Sequence, residues 1–117
     1  MHKASELPIF IQWLEFLEWL LPAVEKFPKR VRFTFADRIN NLALDIVEKL
    51  VEARYSREKH AVLAAVNLKL EKLRVLLRIC HRLRYLPHQR YEHAMRQLNE
   101  TGRMLGGWIK QQQARRP

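Results

Sequence analysis

The sequence has little of what several structural and functional classes require. It contains one cysteine, three glycines and five prolines. A single cysteine, Cys80, cannot form a disulfide within the chain, which is typical of a reducing compartment, so we expect a cytoplasmic protein. No run of 18 apolar residues occurs, so we expect no membrane-spanning helix and no membrane partner. Asn-Gly and Asp-Gly turns and long alternating apolar–polar runs are missing too, which argues against β-structure.

Motifs of catalysis and of metal binding are also missing. The chain has no Gly-rich phosphate-binding loop and no Gly-x-Ser-x-Gly nucleophile motif. Its five histidines lack the His-x-x-x-His spacing of a metal site, and no Glu-x-x-His pair is present for a di-metal bundle. We therefore expect a protein that is not an enzyme and that holds no metal and no cofactor.

The remaining pattern is helical. Apolar residues recur at helical spacing in the third part of the chain with steps of three and four, as in a bundle seam, at Leu63, Val66, Leu70, Leu73, Leu77 and Cys80. Pro22 lies within the first helical segment and predicts a kink or a new helical start. Short connections favour antiparallel neighbours, so we expect one all-α domain over residues 1–117, an up-down-up-down four-helix bundle. Its helices are predicted at about residues 8–26, 32–55, 57–85 and 89–112.

Charge is divided unevenly along the chain. Residues 1–53 carry a net charge of −1 and residues 54–117 a net charge of +11, which together give the +10 of the whole chain. Eleven of the fifteen basic residues in the second part are arginines. The planar guanidinium matches phosphate and carboxylate groups, so this composition favours nucleic acid or another anionic partner.

The third helix is predicted to carry the main basic stripe. At 100° per residue its basic side chains fall within an arc of about 100°, which we place opposite the leucine seam and in water. Arginines four residues apart repel each other, so the arrangement favours an anionic partner, and the alternative is an ordinary solvated face. For the basic residues of the fourth helix, the alternative of an ordinary solvated face is stronger than a binding role. The candidate binding residues are Arg74, Arg78, His81 and Arg82, followed by Arg96, Arg103 and Lys110.

Two further features predict close contacts. Gly102 and Gly106 have GxxxG spacing on the inner face of the fourth helix, where each glycine costs about 1 kcal/mol relative to alanine. We interpret them as sites of tight packing, within the subunit or between subunits. Trp19 lies off the apolar stripe of the first helix and predicts a second contact surface, such as self-association, with an isolated exposed aromatic as the alternative.

Several segments resemble a known family. They are Leu-Arg-Val-Leu-Leu-Arg at residues 73–78, Tyr-Glu-His at residues 91–93, Glu-Thr-Gly-Arg-Met-Leu-Gly-Gly-Trp-Ile at residues 100–109, and the segment of residues 20–29 around Pro22. Together they resemble the accessory variability determinant (Avd) proteins of diversity-generating retroelements. The resemblance covers nearly the whole chain. The four-helix proteins encoded within ribosomal RNA intervening sequences share much of this pattern.

The resemblance implies a basic, non-catalytic four-helix bundle that assembles as a homopentamer. It also implies binding of RNA and DNA, largely independent of sequence, and association with the reverse transcriptase in mutagenic retrohoming. By position, Arg74 and Arg78 match family arginines implicated in contact with the reverse transcriptase. Two alternatives stay open: a protein of the intervening-sequence type, and a purely structural self-assembling bundle whose charge serves solubility.

Overall fold

The polypeptide forms four α-helices in the computed structural model, which describes residues 7–115. Within these residues no strand occurs, so the predicted all-helical class with four helices is confirmed. A 3₁₀ turn at Lys29–Val31 and a π-helical turn at Arg32–Ala36 precede the second helix. The helices are α1 (Pro8–Glu25), α2 (Asp37–Tyr55), α3 (Lys59–Arg82) and α4 (His88–Ala114).

The helix boundaries differ from the predicted ones for local reasons. α1 continues through Pro22 as one helix, although proline cannot donate an intrahelical hydrogen bond. α3 starts two residues later than predicted, because the Ser56 hydroxyl accepts a hydrogen bond from the Glu58 amide at 2.9 Å and forms a separate turn. The π-helical turn runs directly into α2, where the Asp37 amide donates to the Arg32 carbonyl.

α3 forms the centre of the core. Its six predicted seam residues, from Leu63 to Cys80, have no exposed surface. α3 packs against α2 and α4, and α1 packs against α2 and α4 on the other side. Burial raises the pKa of the Cys80 thiol to about 11, so the sulfur stays protonated and serves as a small buried apolar group.

α1 is attached to the core by aromatic side chains. Trp13 is fully buried, and its indole Nε1 donates to the carbonyl of Ala43 on α2 at 2.9 Å. Phe16 is also buried, with its ring centroid 5.1 Å from that of Trp13. We predicted Leu14 in the apolar stripe and Phe16 at its border, but Leu14 is 37% exposed. The tryptophan hydrogen bond thus fixes which side of α1 faces inward.

A polar cluster joins α1 to α4. Thr101 is fully buried, and its hydroxyl donates to Oε1 of Gln12 at 2.6 Å and lies 2.9 Å from the carbonyl oxygen of Gln97. The amide Nε2 of Gln12 donates to the same carbonyl at 3.1 Å. A buried polar group stabilises a fold only when its hydrogen bonds are made, so this cluster fixes the register of the two helices.

No helix among residues 7–115 combines the length and the hydropathy needed to cross a lipid bilayer. Within the same residues, no group of three or more histidine, cysteine, aspartate or glutamate side chains is placed to hold a metal ion.

We expect Thr101→Val to lower the free energy of unfolding by about 1–3 kcal/mol, because the isosteric side chain removes the fully buried hydroxyl that donates to the partly buried Gln12. Urea unfolding followed by circular dichroism measures the change. Thr34→Val is the matched control, since Thr34 is exposed and should change stability by less than about 0.5 kcal/mol. Equal effects of the two substitutions would contradict a structural role for the Gln12–Thr101 hydrogen bond.

Candidate functional site

The first arginine of the predicted stripe is bound within its own subunit. Arg74 Nη1 donates to Oε2 of Glu71 at 3.0 Å, three residues earlier on α3. Nη2 of Arg74 donates to α4, to the carbonyl oxygen of Leu98 at 3.2 Å and to Oδ1 of Asn99 at 3.3 Å. The side chain is only 25% exposed. Our expectation that Arg74 extends freely into water is therefore wrong, and its guanidinium joins α3 to α4.

Gly102 lies beside this guanidinium. A Cβ atom at Gly102 would lie 3.0 Å from Nη2 of Arg74, a distance that forces the arginine to shift. The glycine provides space for an arginine side chain, whereas we predicted space for another helix. At Gly106 a Cβ atom would meet nothing within 4 Å in the described part of the chain. The GxxxG spacing is thus not a helix-packing motif within the subunit, and a role between subunits stays a prediction.

The face of α3 opposite its buried seam carries exposed apolar side chains, with Lys72 and Arg82 beside them. Our placement of the basic arc on that face is wrong, because the arc lies to one side of it, where Arg74 reaches α4. This position explains why Arg74 is bound instead of free. The apolar face carries four side chains at helical spacing that are 36–57% exposed: Leu68, Val75, Ile79 and Leu83.

Arg78 and Arg82 are exposed, and neither forms an ion pair with another residue of the described range. Arg78 borders a groove of about 150 Å³ between α3 and α4, together with Tyr91 and Met95. Its guanidinium is therefore available to a partner next to apolar surface, whereas that of Arg74 is occupied.

His81 is half-buried at the same boundary. Its ring stacks on Tyr91 of α4 with 4.3 Å between centroids and 8° between planes. Nε2 of His81 lies 3.3 Å from Nδ1 of His88, whose other nitrogen lies 3.3 Å from Glu92. These contacts give His81 a structural role at the junction of α3 and α4.

The candidates on α4 behave differently from one another. Arg103 is paired with Glu100 on the same helix, with Nε 3.1 Å from Oε2, and a second contact joins Nη2 to the other carboxylate oxygen. The hydrogen bond from Arg103 holds the pKa of Glu100 below its ordinary value. Arg96 and Lys110 are exposed and pair with no acid in the described range. Among these three residues, Arg103 therefore fits the alternative of an ordinary solvated face best, because its guanidinium is already paired.

Trp19 packs within the subunit. Its ring lies 5.9 Å from Phe16 and 4.5 Å from His93 of α4, measured between centroids. The tryptophan is half-buried and joins α1 to α4. It therefore belongs to the packed apolar side of α1, although we predicted that it lies off that side. Its role in self-association stays a prediction.

A second concentration of positive charge was not predicted. Residues 26–38 and 82–90 together hold eight basic residues and one acidic residue, a net charge of +7. Seven of the eight are exposed, Arg90 is half-buried, and none forms an ion pair within the described range. We call this surface the basic end; its basic residues are Lys26, Lys29, Arg30, Arg32, Arg38, Arg82, Arg84 and Arg90.

Tyr85 holds the two segments of the basic end together. Its ring centroid lies 6.4 Å from that of Phe27 and 6.0 Å from that of Phe35. The guanidinium of Arg30 lies over the same ring at 5.7 Å. The connection between α1 and α2 therefore meets the connection between α3 and α4. The sequence contains a signal for this pairing. Each connection has aromatic residues beside its basic ones, Phe27 and Phe35 in the first and Tyr85 in the second.

Arg84 has an unusual backbone conformation for an arginine. Its φ of 66° lies in the left-handed region. The Tyr85 amide donates to the Cys80 carbonyl at 2.8 Å, and the Arg84 amide donates to the His81 carbonyl at 3.0 Å. These bonds form a Schellman motif, in which glycine is the usual residue at the left-handed position. An arginine there is a less favourable choice for the backbone.

The fold and the charged surfaces define a small helical-bundle protein with its positive charge concentrated at one pair of connections. Residues 9–112 match the family model described as bAvd-like, and the chain belongs to this family of Avd proteins, accessory variability determinants. The family is one of accessory proteins and is not a known enzyme family. No curated protein matches the chain. The relation to proteins of ribosomal intervening sequences stays a prediction.

Arg74→Ala should lower the free energy of unfolding by about 1 kcal/mol or more, because it removes the hydrogen bonds between α3 and α4. Arg78→Ala should change it by less than about 0.5 kcal/mol, because this side chain has no partner in the described range. Chemical denaturation of both variants measures the difference. Equal loss of stability in the two variants would contradict the distinction between a bound and an available arginine.

Proposed function

We propose that this protein is a non-catalytic accessory subunit of a diversity-generating retroelement. It binds template RNA and its cDNA and associates with the cognate reverse transcriptase during mutagenic retrohoming. Membership in the bAvd-like family supports the retroelement role. The observation that carries the nucleic-acid part is the basic end, where eight basic residues accompany one acid.

The charge of the basic end fits a polyanion better than an isolated carboxylate. Seven of its eight basic side chains are exposed and none of the eight forms an ion pair within the described range, so the exposed ones can each neutralise a phosphate and release counterions. Contacts of this kind hold a nucleic acid without reading its sequence. The cation–π contact of Arg30 with Tyr85 orders one of these side chains before any partner binds.

The contact with the reverse transcriptase is proposed on α3. Arg78 is exposed next to Val75 and Ile79, two apolar side chains that are 45% and 36% exposed. An arginine surrounded by apolar surface is a typical centre of a protein–protein interface. Arg74 contributes to this region indirectly, because it fixes α3 against α4.

Self-association as a homopentamer is also part of the proposal, with antiparallel neighbouring helices in each subunit. Exposed apolar side chains on the remaining helices offer a surface for it, among them Ile11 and Leu14 of α1 and Leu44 of α2. Five copies would multiply a modest attraction per subunit through effective concentration. We place the assembly in the cytoplasm, where its single cysteine stays reduced.

RNA binding should weaken steeply as the salt concentration rises. A plot of the logarithm of the association constant against the logarithm of the salt concentration should be a straight line with a negative slope. Fluorescence anisotropy with labelled template RNA at several salt concentrations measures the slope. A flat dependence, or no binding at low salt, would contradict the proposal and favour a structural bundle whose charge serves solubility.

Arg78→Ala should abolish co-purification of the reverse transcriptase expressed from the same locus, because the substitution removes the proposed central contact without affecting the fold. Arg57→Ala is the control, since Arg57 is an equally exposed arginine in the connection between α2 and α3. Native mass spectrometry shows whether each variant still assembles to five times the 14.1 kDa chain mass. Retained co-purification by Arg78→Ala would place the polymerase contact elsewhere.

A further inference from the structure

One aromatic side chain of the basic end has no packing role. Phe33, in the π-helical turn Arg32–Ala36, is 80% exposed. A phenylalanine in water forgoes the free energy that its burial would provide. Isolated exposed aromatics are common, so the position of Phe33 decides its meaning: it follows Lys29, Arg30 and Arg32 and precedes the stacked Phe35.

We infer that the basic end binds single-stranded nucleic acid, with one base stacked on Phe33 and the flanking phosphates held by Arg30, Arg32 and Arg84. This inference rests on the proposed function and specifies where and how the nucleic acid is held. Proteins that bind single strands without sequence preference combine a positively charged groove with aromatic rings on which bases stack.

Basic side chains next to Phe33 in the chain supply the positive charge of this combination, and a groove lies among them. Arg32 and Lys29 line a groove of about 370 Å³ together with Phe27 and Pro28. Phe33 directly follows Arg32 in the chain, so a strand that stacks a base on the ring can place a phosphate next to this arginine. Glu25 and Asp37 line this groove as well, so its lining has two basic and two acidic side chains, and the net positive charge of the surface comes from the other basic residues of the basic end.

Arg84 supports the inference independently. It occupies a left-handed position where glycine would be easier for the backbone, and its side chain is exposed and forms no ion pair in the described range. A side chain kept at a conformational disadvantage indicates a role outside folding. The contacts of Tyr85 bring Arg84 to the same surface as Arg30.

A protein partner fits this surface less well. The basic end exposes two large apolar side chains, Phe33 and Leu83, among eight basic residues. Protein–protein interfaces have an apolar centre depleted of charge, whereas nucleic-acid interfaces are strongly positive. A duplex fits less well than a single strand because its bases are stacked on one another and cannot stack on Phe33.

The test compares Phe33→Ala with Tyr55→Ala in the full-length chain. Tyr55 is the matched control, because it is 72% exposed and lies between Arg54 and Arg57 near the connection between α2 and α3. The probes are an unstructured single-stranded RNA and the same strand annealed to its complement. Phe33→Ala should weaken binding of the single strand about tenfold, with the salt slope and duplex binding unchanged, and Tyr55→Ala should change neither.

A second variant separates binding from folding. Arg84→Gly should raise the urea midpoint of unfolding, because glycine suits the left-handed position, and should reduce the slope of log affinity against log salt by about 1. A stabilised variant that binds RNA less tightly cannot be explained by damage to the fold.

Each other outcome has a distinct meaning. If Phe33→Ala binds the single strand as wild type does, while wild-type binding remains salt-dependent, the stacking inference is overturned and the proposed function stands. If the wild type binds neither RNA at low salt, the proposed function itself falls. If Phe33→Ala and Arg84→Gly both retain RNA affinity but no longer co-purify the reverse transcriptase, the basic end is a protein interface and the inference is wrong.

Discussion

Six seam positions of α3, from Leu63 to Cys80, have no exposed surface, and the arrangement of the other helices follows from the need to cover them. α2 and α4 lie directly against α3, and α1 packs against both, with Trp13 bonded to α2 and Gln12 bonded to Thr101 of α4. Because α3 is fixed in rotation by this seam, its remaining faces are fixed too. One flank meets α4 and the opposite side faces solvent, which sets what each polar residue of α3 can do.

The division of the helices and the seam of α3 were predictable, because apolar spacing reports burial directly. The role of Arg74 was not, because helical periodicity gives an angle but not the position of the neighbouring helix. Trp19 and Phe16 show the same limit for α1, since several apolar sides compete and the hydrogen bond of Trp13 to Ala43 selects between them. The Schellman motif at Arg84 escaped prediction because its usual signal is glycine.

Counting charge along the chain concealed the basic end. Five of the eight basic residues of the basic end belong to residues 1–53, where acids elsewhere in α1 and α2 reduce the net charge to −1. Contacts of Phe27, Arg30 and Phe35 with Tyr85 bring the connection between α1 and α2 against the one that carries Arg82 and Arg84. The arginines then divide into separate groups: Arg74 holds two helices together, Arg78 borders apolar surface, and the basic end presents positive charge in bulk. A membership in the bAvd-like family could be inferred from motifs, whereas this division required coordinates.

The contact between Gly102 and Arg74 links two positions that lie on different helices. The glycine leaves a space, and the guanidinium occupies it and reaches the carbonyl of Leu98. A Cβ atom at residue 102 would require the guanidinium to move by a few tenths of an ångström, and a shorter residue at 74 would lose the hydrogen bonds to α4. The absence of a side chain at residue 102 thus lets an arginine of α3 reach the backbone of α4, and this one contact couples the spacing of the two helices to a single guanidinium.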